Sequence, residues 1–427
     1  MLYYSYLNMS TPTYSTWTNL ALLRLNAFGV GINGFYLAID TVVLPVLVLI
    51  LAPEALKNTY LAALGLSGLL VAGVIQVVIG RLSDRTQSPL GRRVPYLLAG
   101  SALISVGMVG IGFAPTFWLL FGVWLFIQAN INVSYGPYQA LIQDLVPGSR
   151  TGVASAFKIL ADVIGGVAFI KISSVFMGWY DFGDSIEWLW ITLGVLGINL
   201  FVAAGITSFT VLSRQNKPDS EAALGDVPVL KSSGLHPQLT QFLISRWLMV
   251  TAIVVFQTYG LFFLRDKVGL DAPVQALGNM VLVVGGAVAV GAYLAGWFSD
   301  RIGRKPVILA GAAGATISTI AILWAGSVTE VLVIATFIGF SVGTLLSSNW
   351  ALANEMGTAG KEALHMGVVN LATIAGAASA KLLGPGVDLL NRASPASGYS
   401  ALLIGCAIFF VLGGILLLPV KTNLDQS

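Results

Sequence analysis

Asn26, Asn33 and Asp40 recur every seven residues inside an otherwise apolar stretch, with Tyr36 between the last two. On a helix that spacing drifts only about 20° per step, so these side chains share one face. Lipid penalises such a stripe, which places it against a water-accessible chamber. Asp40 has no basic residue within four positions on its own helix. Desolvation disfavours the ionised form of an unpaired carboxylate, so Asp40 can take up and release a proton near neutral pH. It is a candidate proton-coupling group; the competing reading is a helix-end acid facing water. Lys158 and Asp162 lie four residues apart and therefore on one helix face. Their attraction keeps both charged, as a structural ion pair or as a coupling site that a solute separates. Lys381, with Asp388 seven residues on, suits a gate ion pair or a solute contact. Lys171 is expected to snorkel toward the outer surface, and Arg246 to be an interfacial charge.

Neutral polar side chains form further stripes. Gln128, Asn132, Tyr135, Gln139 and Gln143 trace one continuous helical face. Ser341, Thr344 and Ser348 do the same, followed by Asn349 and Trp350, and Gln257, Thr258 and Tyr259 form a shorter group. Amides, hydroxyls and aromatic rings suit a neutral polyhydroxylated solute; the alternative is hydrogen bonding between helices. The segments bearing Gln128–Gln143 and Ser341–Trp350 lack basic residues, which disfavours a highly anionic ligand. No nucleophile–base pair appears, and the single Cys406 with His236 and His365 makes no metal-ligand pattern. No catalytic residue, metal or cofactor is expected, and the chain does not read as an enzyme.

The elements that must position these groups follow from composition. Apolar residues make up 56% of the 427 and charged residues 10%, against roughly 25% charged in a soluble domain. Most of the surface must therefore face lipid. A spanning helix needs about 20 apolar residues, and by that ruler twelve spans fit: 20–51, 60–79, 95–114, 117–143, 152–176, 187–212, 239–264, 273–297, 306–326, 330–352, 364–390 and 399–419. Gly is abundant at 48 residues, and small residues such as Ala287, Gly291 and Ala295 let helices approach closely. With the N-terminus inside, thirteen basic residues fall in inner loops and tail, against Lys57, Arg265, Lys267 and Arg392 outside. The positive-inside rule then makes both termini cytoplasmic, in the cell (plasma) membrane. Residues 1–19 are polar and aromatic, without the charged start and apolar middle of a cleaved signal. The net charge of +3 is too small and scattered for nucleic acid. Lipid and a small solute, with protons, are the expected partners of a monomer.

A loop signature occurs twice. Gly80-Arg81-Leu82-Ser83-Asp84-Arg85 precedes Gly91-Arg92-Arg93-Val94-Pro95, and Gly296-Trp297-Phe298-Ser299-Asp300-Arg301 precedes Gly303-Arg304-Lys305-Pro306. Asp144 and Glu355 close two further matched segments, and the first loop is five residues longer. The chain is thus two related halves, 20–212 and 239–419, flanked by an N-terminal segment (1–19) and a tail (420–427). A polar linker, 213–238, joins them. Each Gly-x-x-Ser-Asp-Arg reads as a tight turn between helices. Arg85 and Arg92 are placed to pair with Asp144, and Arg301 and Arg304 with Glu355.

Twelve spans, the linker and the duplicated loop make the chain resemble a major facilitator superfamily transporter over nearly its whole length. The extended first loop and Pro137-Tyr138-Gln139-Ala140-Leu141 resemble the glycoside–pentoside–hexuronide:cation symporters and the sucrose:proton symporters. The resemblance implies an all-α membrane fold of two pseudo-symmetric six-helix bundles, with the first, fourth, seventh and tenth helices lining a central cavity. It also implies that Asp84 and Asp300 face helix N-termini of the opposite half, so that the loop charges latch the cytoplasmic side. Melibiose-type symporters carry cation-binding acids in the second helix. Residues 60–79 contain none, only Ser67 and Gln76 as notable polar groups, which points away from sodium. The expectation is proton-coupled symport of a sugar or glycoside. The alternatives are a uniporter or exporter of another small organic solute, or a non-transporting receptor or assembly factor on the same fold.

Overall fold

The computed structural model describes residues 17–181, 186–214, 237–356 and 362–420. Most of the N-terminal segment, the bulk of the linker with His236, and the tail lie outside the described residues. In hydrocarbon a spanning segment must satisfy its own backbone polar groups, so apolar stretches of this length become helices. They run α1 Asn19–Leu51, α2 Glu54–Arg85, α3 Val94–Gly112, α4 Phe117–Leu145, α5 Gly148–Tyr180 and α6 Glu187–Leu212 in the first half. In the second are α7 Pro237–Lys267, α8 Pro273–Ile302, α9 Arg304–Trp324, α10 Val328–Glu355, α11 His365–Ala393 and α12 Ser397–Leu417. No strand occurs among the described residues.

All twelve expected spans are present, and the one that differs most is the second. Gly80–Arg85 is the last turn and a half of α2, and Gly296–Arg301 lies inside α8, where a non-helical turn was expected. Nothing in either hexapeptide breaks a helix. The chain reverses later, at Gly91 (φ 77°) and Gly303 (φ 91°), a left-handed conformation that glycine adopts without a Cβ penalty. Within α1 the helix widens to a π turn over Ile39–Val43. Pro45 lacks an N–H and its ring crowds the Thr41 carbonyl, so the local hydrogen-bond ladder shifts. Asp40 sits in that turn.

Helices pack most closely where small residues meet. A Cβ on Gly291 of α8 would lie 2.1 Å from the Phe340 carbonyl oxygen, and one on Gly343 of α10 would lie 2.0 Å from that of Val288. The expected small-residue face of α8 therefore meets the backbone of α10. Gly343→Ala should force these helices apart at a cost of about 1–3 kcal/mol, read as a lower midpoint of thermal unfolding in detergent.

Successive helices run in opposite directions, so both described chain ends and the two signature loops share one side, here called the terminal side. The halves meet along two seams, α2 with α11 and α5 with α8. The hydrogen bonds and ion pairs that join α1, α2 and α5 to α7, α8, α11 and α12 across the halves fall in the opposite, far-side portion. Towards the terminal side, a Cβ on Gly73 or Gly80 of α2, on Gly152 of α5 or on Gly367 of α11 would meet open space. The structure is closed on the far side and parted on the terminal side.

Candidate functional site

The far-side closure is built around Asp388 of α11, which is buried. It accepts four hydrogen bonds from the first turn of α2: from Asn58 N (3.3 Å) and Nδ2 (2.8 Å), and from Thr59 N (2.7 Å) and Oγ1 (2.6 Å). An anion at a helix N-terminus is favoured by unpaired N–H groups and the helix dipole. Here the anion comes from the other half. Beside it, Lys57 pairs with Asp266 (2.7 Å), which accepts from Tyr399 (2.5 Å), and Arg265 pairs with Glu54 (3.1 Å). None of Glu54, Lys57, Asn58, Thr59, Asp266 or Tyr399 was singled out from sequence. Their signal, polar residues ending apolar runs, is shared with ordinary helix ends.

Deeper in the same seam, Lys381 Nζ lies 3.5 Å from Asp40 Oδ2. Asp40 is therefore not solitary, as expected from its own helix; its cation comes from the opposite half. Tyr259 is buried, and its hydroxyl donates to the Lys381 and Ala380 carbonyls at 3.0 and 3.3 Å, bracing α11 against α7. Lys381 itself lies over Gly65 of α2, where a Cβ would come within 2.4 Å of its stem. The other seam holds Lys171, whose Nζ donates to Asn279 at 2.5 Å. It reaches across the halves to the α8 amide, in a contact that is itself exposed to solvent.

In the first half, Lys158 and Asp162 form the expected pair at 2.9 Å. Asn33 donates to Asp162 at 2.8 Å, and Tyr135 lies 3.5 Å from Lys158. These groups are half-buried, as is Tyr36 of α1. Asn26 departs from the expected stripe: it is fully buried and donates to Leu22 O and Ala154 O, tying α1 to α5. Along α4, Gln128 and Asn132 are buried, Asn132 donating to Gln128 O at 2.9 Å, while Gln139 is exposed.

In the second half, Arg246 departs from its expected interfacial place and is 2% exposed. Its Nε donates to Thr373 Oγ1 at 3.0 Å, its Nη1 donates to Asn349 Oδ1, and its guanidinium lies 4.2 Å from the Trp350 ring. Ser348 Oγ and Asn349 Nδ2 are buried without a partner. Gln257 is exposed to a cavity of 360 Å³ between the halves, whose lining is mainly apolar (Val163, Phe256, Met280, Val284 and Leu402 among it) with Thr41, Gln257, Tyr259 and Tyr399 as its polar members.

The signature-loop charges sit differently from the expected latch. Arg93, not Arg85, is the centre of the first cluster, donating to Ser83 and pairing with Asp84 (2.7 Å) and Asp144 (2.8 Å). Arg92 does reach Asp144, at 2.7 Å, while Arg85 is exposed and makes no ion pair among the described residues. Burial alone would lower the Arg93 pKa, but the Asp144 and Asp84 carboxylates outweigh it and hold the group above the usual arginine range. Arg304 repeats the pattern, bonded to Ser299 (2.6 Å), Asp300 and Glu355 (2.8 Å). Arg301 instead lies over its neighbour Trp297, 3.5 Å away, since its side chain leaves α8 on the other face. Both clusters close within one half, so neither latches the halves in this conformation.

The family profile described as MFS/sugar transport protein matches residues 26–390. Sucrose transport protein SUC4 of Arabidopsis thaliana is 29% identical over 189 residues, 40% of this chain and 36% of that protein. Sucrose transport protein SUT2 of Oryza sativa subsp. indica is 32% identical over 139 residues, 27% of this chain and 26% of that protein. The chain thus matches only about a quarter to a third of the length of these relatives. Among solved structures, a bacterial homolog of the human lysosomal transporter Spinster, inward-facing and occupied, superposes with a TM-score of 0.72 at 16% identity. It covers 97% of this chain and 99% of its own. The nucleoside transporter NupG gives 0.70 at 13% identity, covering 94% and 100%. At these identities the structures share the fold.

Proposed function

Since this chain belongs to the MFS/sugar transport protein family and is a multi-pass membrane transporter, we propose that it moves a sugar or glycoside by alternating access, coupled to protons. The observation that carries this reading is the asymmetric seam: sealed by polar contacts on the far side, parted on the terminal side, with a cavity between. Two halves rocking about a mid-membrane site interconvert this form with its opposite. The excess of basic residues in the terminal-side loops supports placing that side at the cytoplasmic face of the plasma membrane, and on that placement the form described opens inward.

Asn33, Tyr36, Tyr135 and Gln139 on one wall, and Gln257 with the Asn349–Trp350 segment on the other, meet the solute. Gln128, Asn132, Ser348 and Tyr259 lie beneath that surface and hold it. Asp40 and Lys381 couple the solute to protons. Two unit charges near 4 Å attract by roughly 4 kcal/mol at an effective dielectric of 20. Protonating Asp40 removes that attraction, so a proton on Asp40 and the pair that joins α1 to α11 exclude one another, which links the proton to the carrier's conformation. Lys158 and Asp162 remain in one half throughout and shape the chamber. The sucrose relatives support a sugar; the polar side chains of α1 and α4, Asn33, Tyr36, Tyr135 and Gln139, support a hydroxylated one.

Asp40→Asn in proteoliposomes should abolish solute accumulation driven by an imposed pH gradient while retaining counterflow exchange at or above half the wild-type rate. Accumulation unchanged in this variant would remove Asp40 from the mechanism.

A further inference from the structure

Four basic side chains among the described residues are buried: Lys57, Arg93, Arg246 and Lys381. Three meet a carboxylate: Lys57 at Asp266, Arg93 at Asp84 and Asp144, Lys381 at Asp40. Arg246 meets none. A guanidinium in a protein does not shed its proton, so this charge is held with only an amide, a hydroxyl and an indole ring around it. Two of its five N–H groups have acceptors, Thr373 Oγ1 and Asn349 Oδ1.

The surroundings repeat the imbalance. With Asn349 Oδ1 turned to Arg246, its Nδ2 becomes a second buried donor without a partner, and the Ser348 hydroxyl beside it in sequence is a third such group. The cluster has donors to spare and a net positive charge. A carboxylate supplies what is missing: negative charge and two oxygens able to take about four hydrogen bonds in the fork geometry that arginine favours.

Among the described residues, the acids of the terminal-side clusters are already engaged. Asp84 and Asp144 are held by Arg93, and Asp300 and Glu355 by Arg304. Across the chamber Asp162 is held by Lys158. Trp350, 39% exposed, covers the guanidinium and offers the apolar side of its ring to carbon-bound hydrogens of an entering molecule. We infer that Arg246 and Asn349, under Trp350, form a carboxylate subsite of the solute chamber, and that the solute is a sugar acid with one carboxylate. This rests on the transport reading above and replaces the neutral solute expected from the polar stripes, whose lack of basic residues on α4 and α10 overlooked an arginine supplied by α7.

The test is calorimetric binding to the purified full-length protein in nanodiscs, using matched pairs that differ only by carboxylate against hydroxymethyl: D-gluconate with D-glucitol, and lactobionate with lactitol. In at least one pair the wild type should bind the acid about 10-fold or more tightly than the alcohol, in keeping with charge-assisted hydrogen bonds. Arg246→Gln should bring that ratio to about one without weakening the alcohol more than about twofold, and Arg246→Lys should keep part of the preference. Should Arg246→Gln fail to fold, salt provides the second measurement on the wild type: added sodium chloride should weaken the acid and leave the alcohol unchanged. Equal binding of both members, binding of none of the four, a preference that survives Arg246→Gln, or equal salt sensitivity would each overturn the inference. Acid-selective binding without accumulation in liposomes would keep the subsite and overturn the transport reading.

Discussion

Lys381→Met should eliminate concentrative uptake and lower thermal stability, while Lys381→Met combined with Asp40→Asn should recover stability and solute exchange. In the single variant, Asp40 remains in the α2–α11 seam without its cation. Breaking one partner of a fully buried pair costs about 3–5 kcal/mol, less here because Asp40 keeps 19% of its side chain exposed, whereas removing both partners is far milder. The expected order of melting temperatures is wild type, double variant, then Lys381→Met. Proton-driven accumulation should stay absent in both variants, because the proposed coupling pair is broken in one and gone in the other. A double variant no more stable than Lys381→Met would show that the two charges do not act on one another.

The second large effect is expected at Asp388. Its four hydrogen bonds to Asn58 and Thr59 all cross between halves, so they exist only while the far side is shut. Hydrogen bonds to a charged group are each worth about 1.5–3 kcal/mol. Losing several of them through Asp388→Ala, even with strong non-additivity, should move the conformational equilibrium towards the far-side-open form by about 100-fold or more. Spin labels at Ala55→Cys and Asp271→Cys, both exposed on far-side loops of opposite halves, report it directly in a Cys406→Ser background. Their distance distribution should shift from a short to a longer population. A distribution unchanged by Asp388→Ala would make the cap incidental to closure.

Much of the architecture was readable because hydrocarbon leaves the chain few options. Length and hydropathy gave all twelve spans, and the repeat at Asp84 and Asp300 revealed two halves before any contact was known. The pair Lys158–Asp162 was readable because four residues on a helix are neighbours by geometry. What escaped notice depends on partners supplied from elsewhere. Asp40 looked unpaired because its lysine lies on α11, far along the chain. Arg246 looked interfacial because Thr373, Asn349 and Trp350 come from two other helices. Lys171 and Lys381 stand 210 residues apart, close to the offset of the repeat, and both reach across a seam. That coincidence was in the sequence and pointed away from snorkelling. Of the loop charges, the pairs Arg92–Asp144 and Arg304–Glu355 were legible from the matched segments, while a latch between halves belongs to a terminal-side-closed form and not to this one. Arg93 went unnoticed beside Arg92, although the five-residue insertion aligns Arg93, not Arg92, with Arg304.

When the far side parts, Asp388 leaves with its own half and the first turn of α2 loses its counter-charge. The amides of Asn58 and Thr59 are then left to water at the entrance, while Lys57 keeps Glu54 of its own half as partner. Resealing must strip that water and bring back the one carboxylate that fits them, so the cap governs how reluctantly the doorway opens as well as how firmly it shuts.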